Sequence, residues 1–435
     1  MNLNPGGVAH SASQFSTSRA AAGVRLALPV TIAMLIATGS IGAILAGGGA
    51  ATAAAPQVLS ALRPAGIVSA VPSTKATLTA PPQTAVAPVP VKAAAAPAPP
   101  APPNVRGAVP VGKGMWIWLP EKTEGGNPAA IVARAQKVGL THLYVRTGSS
   151  KKGFHGADFL NALLPVAHEG GIRIYGWDFP YLQDPGADVA RAVEAIRHTA
   201  PGGHRIDGFA ADVELKSMGV NITPETASAY GDNLRAAVGD AYPLIAVVPR
   251  PSPALLNYPY AQLTRGFDAI APMVYWLNRD PVSTTSEAMR VLGALGKPVI
   301  PIGQAYDGFA EGGPPGVPNR ADIHRFFQTA ADAGAPGVSF WSWQHASDEA
   351  WQAIADAGLF QLPVEPDSTF RPDQVRVYQV LLSTLGFHVP MTSVWDQSTV
   401  NALTAFQTAA RLPVTSKLDA LTRKYLLRPV NPPLK

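Results

Sequence analysis

Ile206-Asp207-Gly208-Phe209-Ala210-Ala211-Asp212-Val213-Glu214 is the stretch whose reading decides the fold. Side chains alternate along a strand, so Ala210, Asp212 and Glu214 share one face, and Phe209, Ala211 and Val213 share the other. The second face is apolar and suits contact with a layer of helices. The first projects two carboxylates, two residues apart, toward whatever the strand encloses. Seven further runs of similar texture flank it: Gly114–Leu119, Thr141–Arg146, Ile172–Asp178, Leu244–Val248, Ala269–Tyr275, Pro298–Ile302 and Gly337–Trp343. Helical stretches rich in Ala fall between them, among them Pro128–Val138, Ala187–His198, Pro224–Val238, Ser286–Leu295 and Arg320–Ala333. Eight β units, each followed by a helical or irregular connection, predict an α/β fold of (β/α)8, or TIM-barrel, type. The alternative, a doubly wound sheet, lacks the expected G-x-G-x-x-G after a strand.

In a (β/α)8 barrel the site lies at the C-terminal ends of the strands. Those ends present Trp116 and Trp118, Arg146, Trp177 and Asp178, Asp212 and Glu214, Pro249 and Arg250, Tyr275 and Trp276, Gln304, Tyr306 and Asp307, and Trp341 and Trp343. Flat aromatic faces stack on the apolar faces of sugar rings, and carboxylates handle protons. Two carboxyls held as close as Asp212 and Glu214 repel, so one pKa rises and that group stays protonated near neutral pH. A glycosidic oxygen needs such an acid to protonate it. Other readings stand beside these. Asp178 is either a second acid of the site or the cap of a following turn. Trp116, Trp118, Trp341 and Trp343 either face a sugar or fill the core. Arg146 either meets substrate or pairs with Asp178 or Glu214.

The central stretch resembles the D-G-x-D-x-D-x-E motif of chitinase-like glycoside hydrolases of family 18. Asp207, Gly208, Asp212 and Glu214 fall on its first, second, sixth and eighth positions, and Ala210 departs from the Asp of the fourth. Met273-Val274-Tyr275 is similar to the family's sixth-strand M-x-Y, with Trp276 in place of the usual Asp or Asn. Ser339-Phe340-Trp341-Ser342-Trp343 resembles its last strand. The resemblance implies Glu214 as general acid and Asp212 as the partner that positions a substrate N-acetyl group, whose oxygen is the nucleophile. The substrate-binding candidates are Tyr275, Trp343 and Trp341, which lie in the matching motifs, and Trp116, Asp178 and Arg146, which lie at the strand ends. The D-x-E pair also resembles the lysozyme family 25 muramidases, which need an Asp at the end of strand one; Gly114–Leu119 has none.

A separate unit spans 367–428. Asp373–Leu385, Asp396–Ala410 and Asp419–Leu427 read as three short helices, each opening near an Asp suited to N-capping. Gln379, Leu382, Leu385 and Gly386, then Asp396, Thr399, Ala402, Phe406 and Gln407, then Leu412, Val414, Asp419 and Thr422 resemble the peptidoglycan-binding module of cell-wall hydrolases. Ser416 stands where that pattern has Gly. The implied unit is a small all-α three-helix domain that holds wall glycan.

The other end of the chain is different in kind. Residues 26–46 are an uncharged apolar run behind Arg19 and Arg25, long enough for the roughly 30 Å hydrocarbon layer, and small residues follow at Ala51–Ala55. Residues 1–55 therefore read as an export signal or signal anchor. Residues 56–110, rich in Ala and Pro, read as a disordered spacer, 111–362 as the barrel, and 367–428 as the terminal module. The net charge of +5 sits outside the barrel segment, since 112–360 carries −4; no nucleic-acid partner is expected. With no cysteine, thiolate metal sites, Fe–S clusters and cysteine nucleophiles are excluded. The His residues show no metal-ligand spacing, so no metal and no cofactor are expected. The expected function is that of a cell-wall-associated glycoside hydrolase acting on an N-acetylhexosamine polymer, peptidoglycan foremost. The protein would be secreted or held in the envelope and touch membrane only through its N-terminal segment. The alternative is a non-catalytic peptidoglycan- or polysaccharide-binding protein of the envelope.

Overall fold

The computed structural model describes residues 107–316, 318–361 and 370–428, with 432 and 434. The export segment, and the spacer up to residue 106, lie outside them. Among the described residues nine strands form one sheet: β1 (Gly112–Ile117), β2 (His142–Ser149), β3 (Gly153–Phe154), β4 (Arg173–Phe179), β5 (Gly208–Asp212), β6 (Leu244–Pro249), β7 (Ala269–Val274), β8 (Ile302–Gln304) and β9 (Gly337–Trp341). Strand β3 is a short antiparallel addition to β2. The other eight are parallel neighbours in chain order. The last returns to the first, from Gly112 against Gly337 to Met115 against Phe340, so the sheet closes. A (β/α)8 barrel is the result.

Eight helices follow the eight strands: α1 (Pro128–Val138), α2 (Ala157–Glu169), α3 (Pro185–Arg197), α4 (Pro224–Val238), α5 (Tyr260–Thr264), α6 (Pro281–Gly293), α7 (Arg320–Asp332) and α8 (Asp348–Asp356). Four of them start with one device: Asn127-Pro128, Asp184-Pro185, Thr223-Pro224 and Asp280-Pro281. The first residue caps free backbone N–H groups with its side chain, and the proline supplies a preset φ where no donor is needed. This pairing starts α6 at Pro281, five residues ahead of the expected Ser286. The seventh barrel strand also differs from expectation. It forms at Ile302–Gln304, after an isolated bridge between Val299 and Ile270. Pro301 has no N–H to give the ladder, which breaks the run in two.

Residues paired across the register share a face, and this sorts the barrel interior. Trp116 lies beside Tyr144 and Tyr144 beside Tyr175. Trp177 lies beside Ala210, Ala210 beside Ile245, and Ile245 beside Ala269. Large rings thus enter from β1, β2 and β4, and small side chains receive them on β5 and β7. Trp116 stacks on Tyr144 with centroids 4.0 Å apart and planes 5° from parallel, and Trp177 meets Trp116 edge-on at 5.6 Å. Gly208 belongs to this fit, because a Cβ there would come within 2.8 Å of the Tyr175 ring and 3.0 Å of Pro243.

The floor of the barrel takes in residues 107–110, expected as the end of the spacer. Ala108 and Val109 are buried, and the Tyr175 hydroxyl donates to the Ala108 carbonyl at 2.7 Å. The C-terminal helices α9 (Pro372–Thr384), α10 (Gln397–Ala409) and α11 (Ala420–Leu427) follow. Asp396 and Asp419 cap α10 and α11 as expected. Asp373 does not cap α9; it lies inside the helix, bonded to Arg371 and to the amide of Phe360. Arg173, at the start of β4, donates to the carbonyl of Leu426 at 2.7 Å, placing a cation at the C-terminal end of α11. Among the described residues no helix is long and apolar enough to cross a membrane.

Gly208→Ala should destabilise the fold by about 1–3 kcal/mol, because an overpacked interior must shift a ring to relax. The midpoint of urea unfolding, monitored by tryptophan fluorescence, reads this directly, and an unchanged midpoint contradicts the packing described.

Candidate active site

Strand β5 carries the acidic pair to the mouth. At its lower end Asp207 is buried and structural: its carboxylate accepts from the Ile174 amide at 2.8 Å and meets His168 Nε2 at 3.0 Å. Ala210 faces inward beside Trp177. Asp212 and Glu214 continue the inward face and are 7 % and 5 % exposed. The backbone between them is held by Tyr258, whose hydroxyl donates to the Val213 carbonyl at 2.7 Å.

Neither carboxyl has a cationic partner within 4 Å among the described residues, so the pair is not a sealed structural ion pair. Burial dominates its electrostatics. Asp212 is pushed up to about 7, first by loss of water, with the Arg146 guanidinium opposing and the charge of Asp178 adding. Glu214 is held well above the usual carboxylate range, by burial first and then by the negative charges of Asp212 and Glu311. Among the described residues Oδ1 of Asp212 has no hydrogen-bond partner. A protonated carboxyl beside a second acid is the arrangement proton transfer to a leaving group requires.

Glu214 lines a cleft of about 560 Å³ above β5, β6 and β7, with Pro249, Met273 and Tyr275 on its walls. Tyr275 meets Tyr306 edge-on at 5.6 Å, and the Tyr306 hydroxyl donates to Glu311 at 2.7 Å. On the other side Arg146 lies over the Trp177 ring, 5.5 Å from its centroid. Trp341 is partly exposed and stands 6.0 Å from Trp118 and 5.6 Å from Trp177. The peptide bond from Trp341 to Ser342 is cis. The mouth therefore gathers Glu214, Asp212, Tyr275, Arg146 and Trp341 from the expected set.

Three expected site residues are elsewhere. Trp116 is 1 % exposed, stacked on Tyr144 below the mouth, with its indole N–H bonded to Ser339 at 2.9 Å. It fills the barrel. Trp343 turns into the outer layer, edge-on to Trp351 of α8 at 4.8 Å, with its N–H on Glu124. Asp178 follows Trp177 on β4, so alternation points it away from the axis, and Arg191 of α3 takes its carboxylate at 2.8 Å. Trp276 likewise faces outward, packed on Phe326 of α7, so this departure from the family motif leaves the mouth unaltered. Glu311 and Tyr258 were not singled out as site candidates from the sequence. Both sit on connections between strands and helices, where no periodicity marks them.

Residues 371–426 match the sequence model of a family described as "Putative peptidoglycan binding domain". No curated protein matches the chain. Among solved structures, the chain is similar to a family GH18 chitinase from Cycas revoluta in complex with allosamidin (14 % identity, 57 % of this chain and 99 % of that one, TM-score 0.42). It is also similar to a glycoside hydrolase family 18 N-acetylglucosaminidase from Paenibacillus barengoltzii (11 %, 57 % and 100 %, 0.42). A third is an endo-1,4-beta-mannanase from Rhizomucor miehei (9 %, 53 % and 86 %, 0.42).

The raised Asp212 sets a pH-dependent stability. Ionising a buried acid whose folded pKa exceeds its unfolded value costs stability as pH climbs between the two, from near 4 to about 7. Asp212→Asn should therefore stabilise the protein at pH 8 by on the order of 2 kcal/mol and by almost nothing at pH 4. Denaturant titrations of both proteins at the two pH values check this; an equal difference at both contradicts it.

Proposed function

We propose that this chain is an exported, cell-wall-associated glycoside hydrolase that cuts an N-acetylhexosamine-containing glycan, with peptidoglycan as the polymer. The observation that carries the reading is Glu214. It projects from the inward face just beyond β5, has no ion-pair partner among the described residues, is pushed toward its protonated form by burial and lines a cleft. In this reading Glu214 gives its proton to the glycosidic oxygen as the bond breaks. Asp212, beside it and nearest in charge to Arg146, orients the substrate N-acetyl group, whose oxygen attacks the anomeric carbon, as the family 18 resemblance implies. Tyr275 and Trp341 shape the sugar site on either side of the acid. The match over residues 371–426 supports delivery to peptidoglycan. The apolar run 26–46 supports export, with the protein secreted or held at the envelope through that segment.

A second reading, a wall-binding protein that does not cut, draws on Ala210. At the fourth motif position it offers no carboxyl to its inward neighbour Asp212, and Oδ1 of Asp212 is left without a partner among the described residues.

The two readings part in one assay. Wild type should release reducing ends from purified cell walls, and Glu214→Gln should cut that rate by about 10²–10⁴-fold, the usual contribution of a general acid. Equal release by both removes Glu214 from its role, and no release by either favours the binding protein. Activity should fall on the alkaline side as Glu214 loses its proton, and a rate that stays flat from pH 5 to pH 10 contradicts that assignment.

A further inference from the structure

The cleft beside Glu214 holds two guanidinium groups for which the mechanism has no use. Arg250 follows Pro249, the last residue of β6. Arg279 lies in the connection before α6, its amide bonded to the Trp276 carbonyl at 2.8 Å. Both line the cleft together with Glu214. Neither has a carboxylate within 4 Å among the described residues. Among the described residues the side chain of Arg250 makes one hydrogen bond, a 3.5 Å contact to the carbonyl of its neighbour Pro251. The two cations are close enough to repel, and Arg250 is largely removed from water; Glu287, also on the cleft wall, is the acid that offsets them. Two guanidiniums thus share the cleft with Glu287 and with Glu214, whose burial favours its uncharged form. Two other guanidiniums of the barrel are bonded differently: Arg191 holds Asp178 and Asp188, and Arg235 holds Asp268.

We infer that Arg250 and Arg279 form a carboxylate-recognition subsite next to the general acid, so that the glycan taken by this barrel is an anionic one. The inference rests on the reading that the cleft receives glycan. A neutral N-acetylhexosamine chain offers the pair only uncharged oxygens. A sugar bearing a carboxylate offers a charged, two-oxygen acceptor that matches the guanidinium fork. The glycan of peptidoglycan fits, since every second sugar carries a lactyl carboxyl, free or extended by a peptide that itself ends in carboxylate. The subsite distinguishes such a strand from chitin through charge alone.

The test uses the full chain carrying Glu214→Gln, titrated by calorimetry with chitotetraose and with a muramic-acid-containing tetrasaccharide whose lactyl carboxyls are free. The anionic sugar should bind more tightly, and raising salt should narrow the gap. Adding R250Q and R279Q together should lower the anionic-to-neutral affinity ratio at least about tenfold, the scale of one lost charge-assisted hydrogen bond. R279Q alone, at an exposed position, should lower the ratio in the same direction and serves if the double variant fails to fold. Equal affinity for the two sugars, or a ratio that the substitutions leave unchanged, overturns the inference. Wild-type hydrolysis without a charge preference would sink this subsite and leave the hydrolase standing. A charge preference without hydrolysis would do the reverse, and no binding of either sugar would overturn both.

Discussion

The stack of Trp116 on Tyr144, with Trp177 set edge-on above it, closes the barrel axis from one side, and the chemistry of the mouth depends on that closure. An interior filled by rings leaves the acids above it little contact with water. Asp212 and Glu214 rest at this boundary, and burial is the first cause of the raised pKa of each. Mutual repulsion adds to the effect at Glu214 but does not lead it. A looser interior would hydrate the pair and return both groups toward ordinary acidity. Packing of the barrel interior therefore raises the pKa of the two acids at the mouth.

Strand parity explains much of the rest. In a closed parallel barrel each strand gives alternate residues to the axis and to the helices, and neighbours in the register agree on the face. Asp178 and Asp212 look alike as acids near strand ends. Parity sends the first to Arg191 in the helix layer and the second to the mouth. The same rule moves Trp276 to Phe326 and keeps Tyr275 on the cleft wall. Trp343 lies past the last residue of β9, where the chain enters a short turn, and parity no longer governs it.

Much of this was legible in the sequence for identifiable reasons. The eight strands showed as short apolar runs at regular spacing, and the Asn-Pro, Asp-Pro and Thr-Pro pairs mark four helix starts by local backbone chemistry alone. The acidic pair showed because alternation within one strand is a property of that strand. The aromatic candidates are less legible: of Trp341, Trp343 and Trp116, only Trp341 reaches the mouth. A tryptophan near a strand end has the same local signature whether it faces a sugar, a tyrosine of the next strand or a helix. Glu311 and Tyr258 come from connections whose paths depend on what they pack against.

The sequence by itself determined the order of the eight barrel strands and the inward direction of Asp212 and Glu214, because each follows from periodicity over a few neighbouring residues. Only the tertiary structure decided which rings fill the axis, which acid is taken up by an arginine, and that Arg250 and Arg279 share a cleft with Glu214. Those outcomes depend on residues brought together from strands and loops far apart in the chain. Burial and charge act through such distances in space, which a linear pattern does not record.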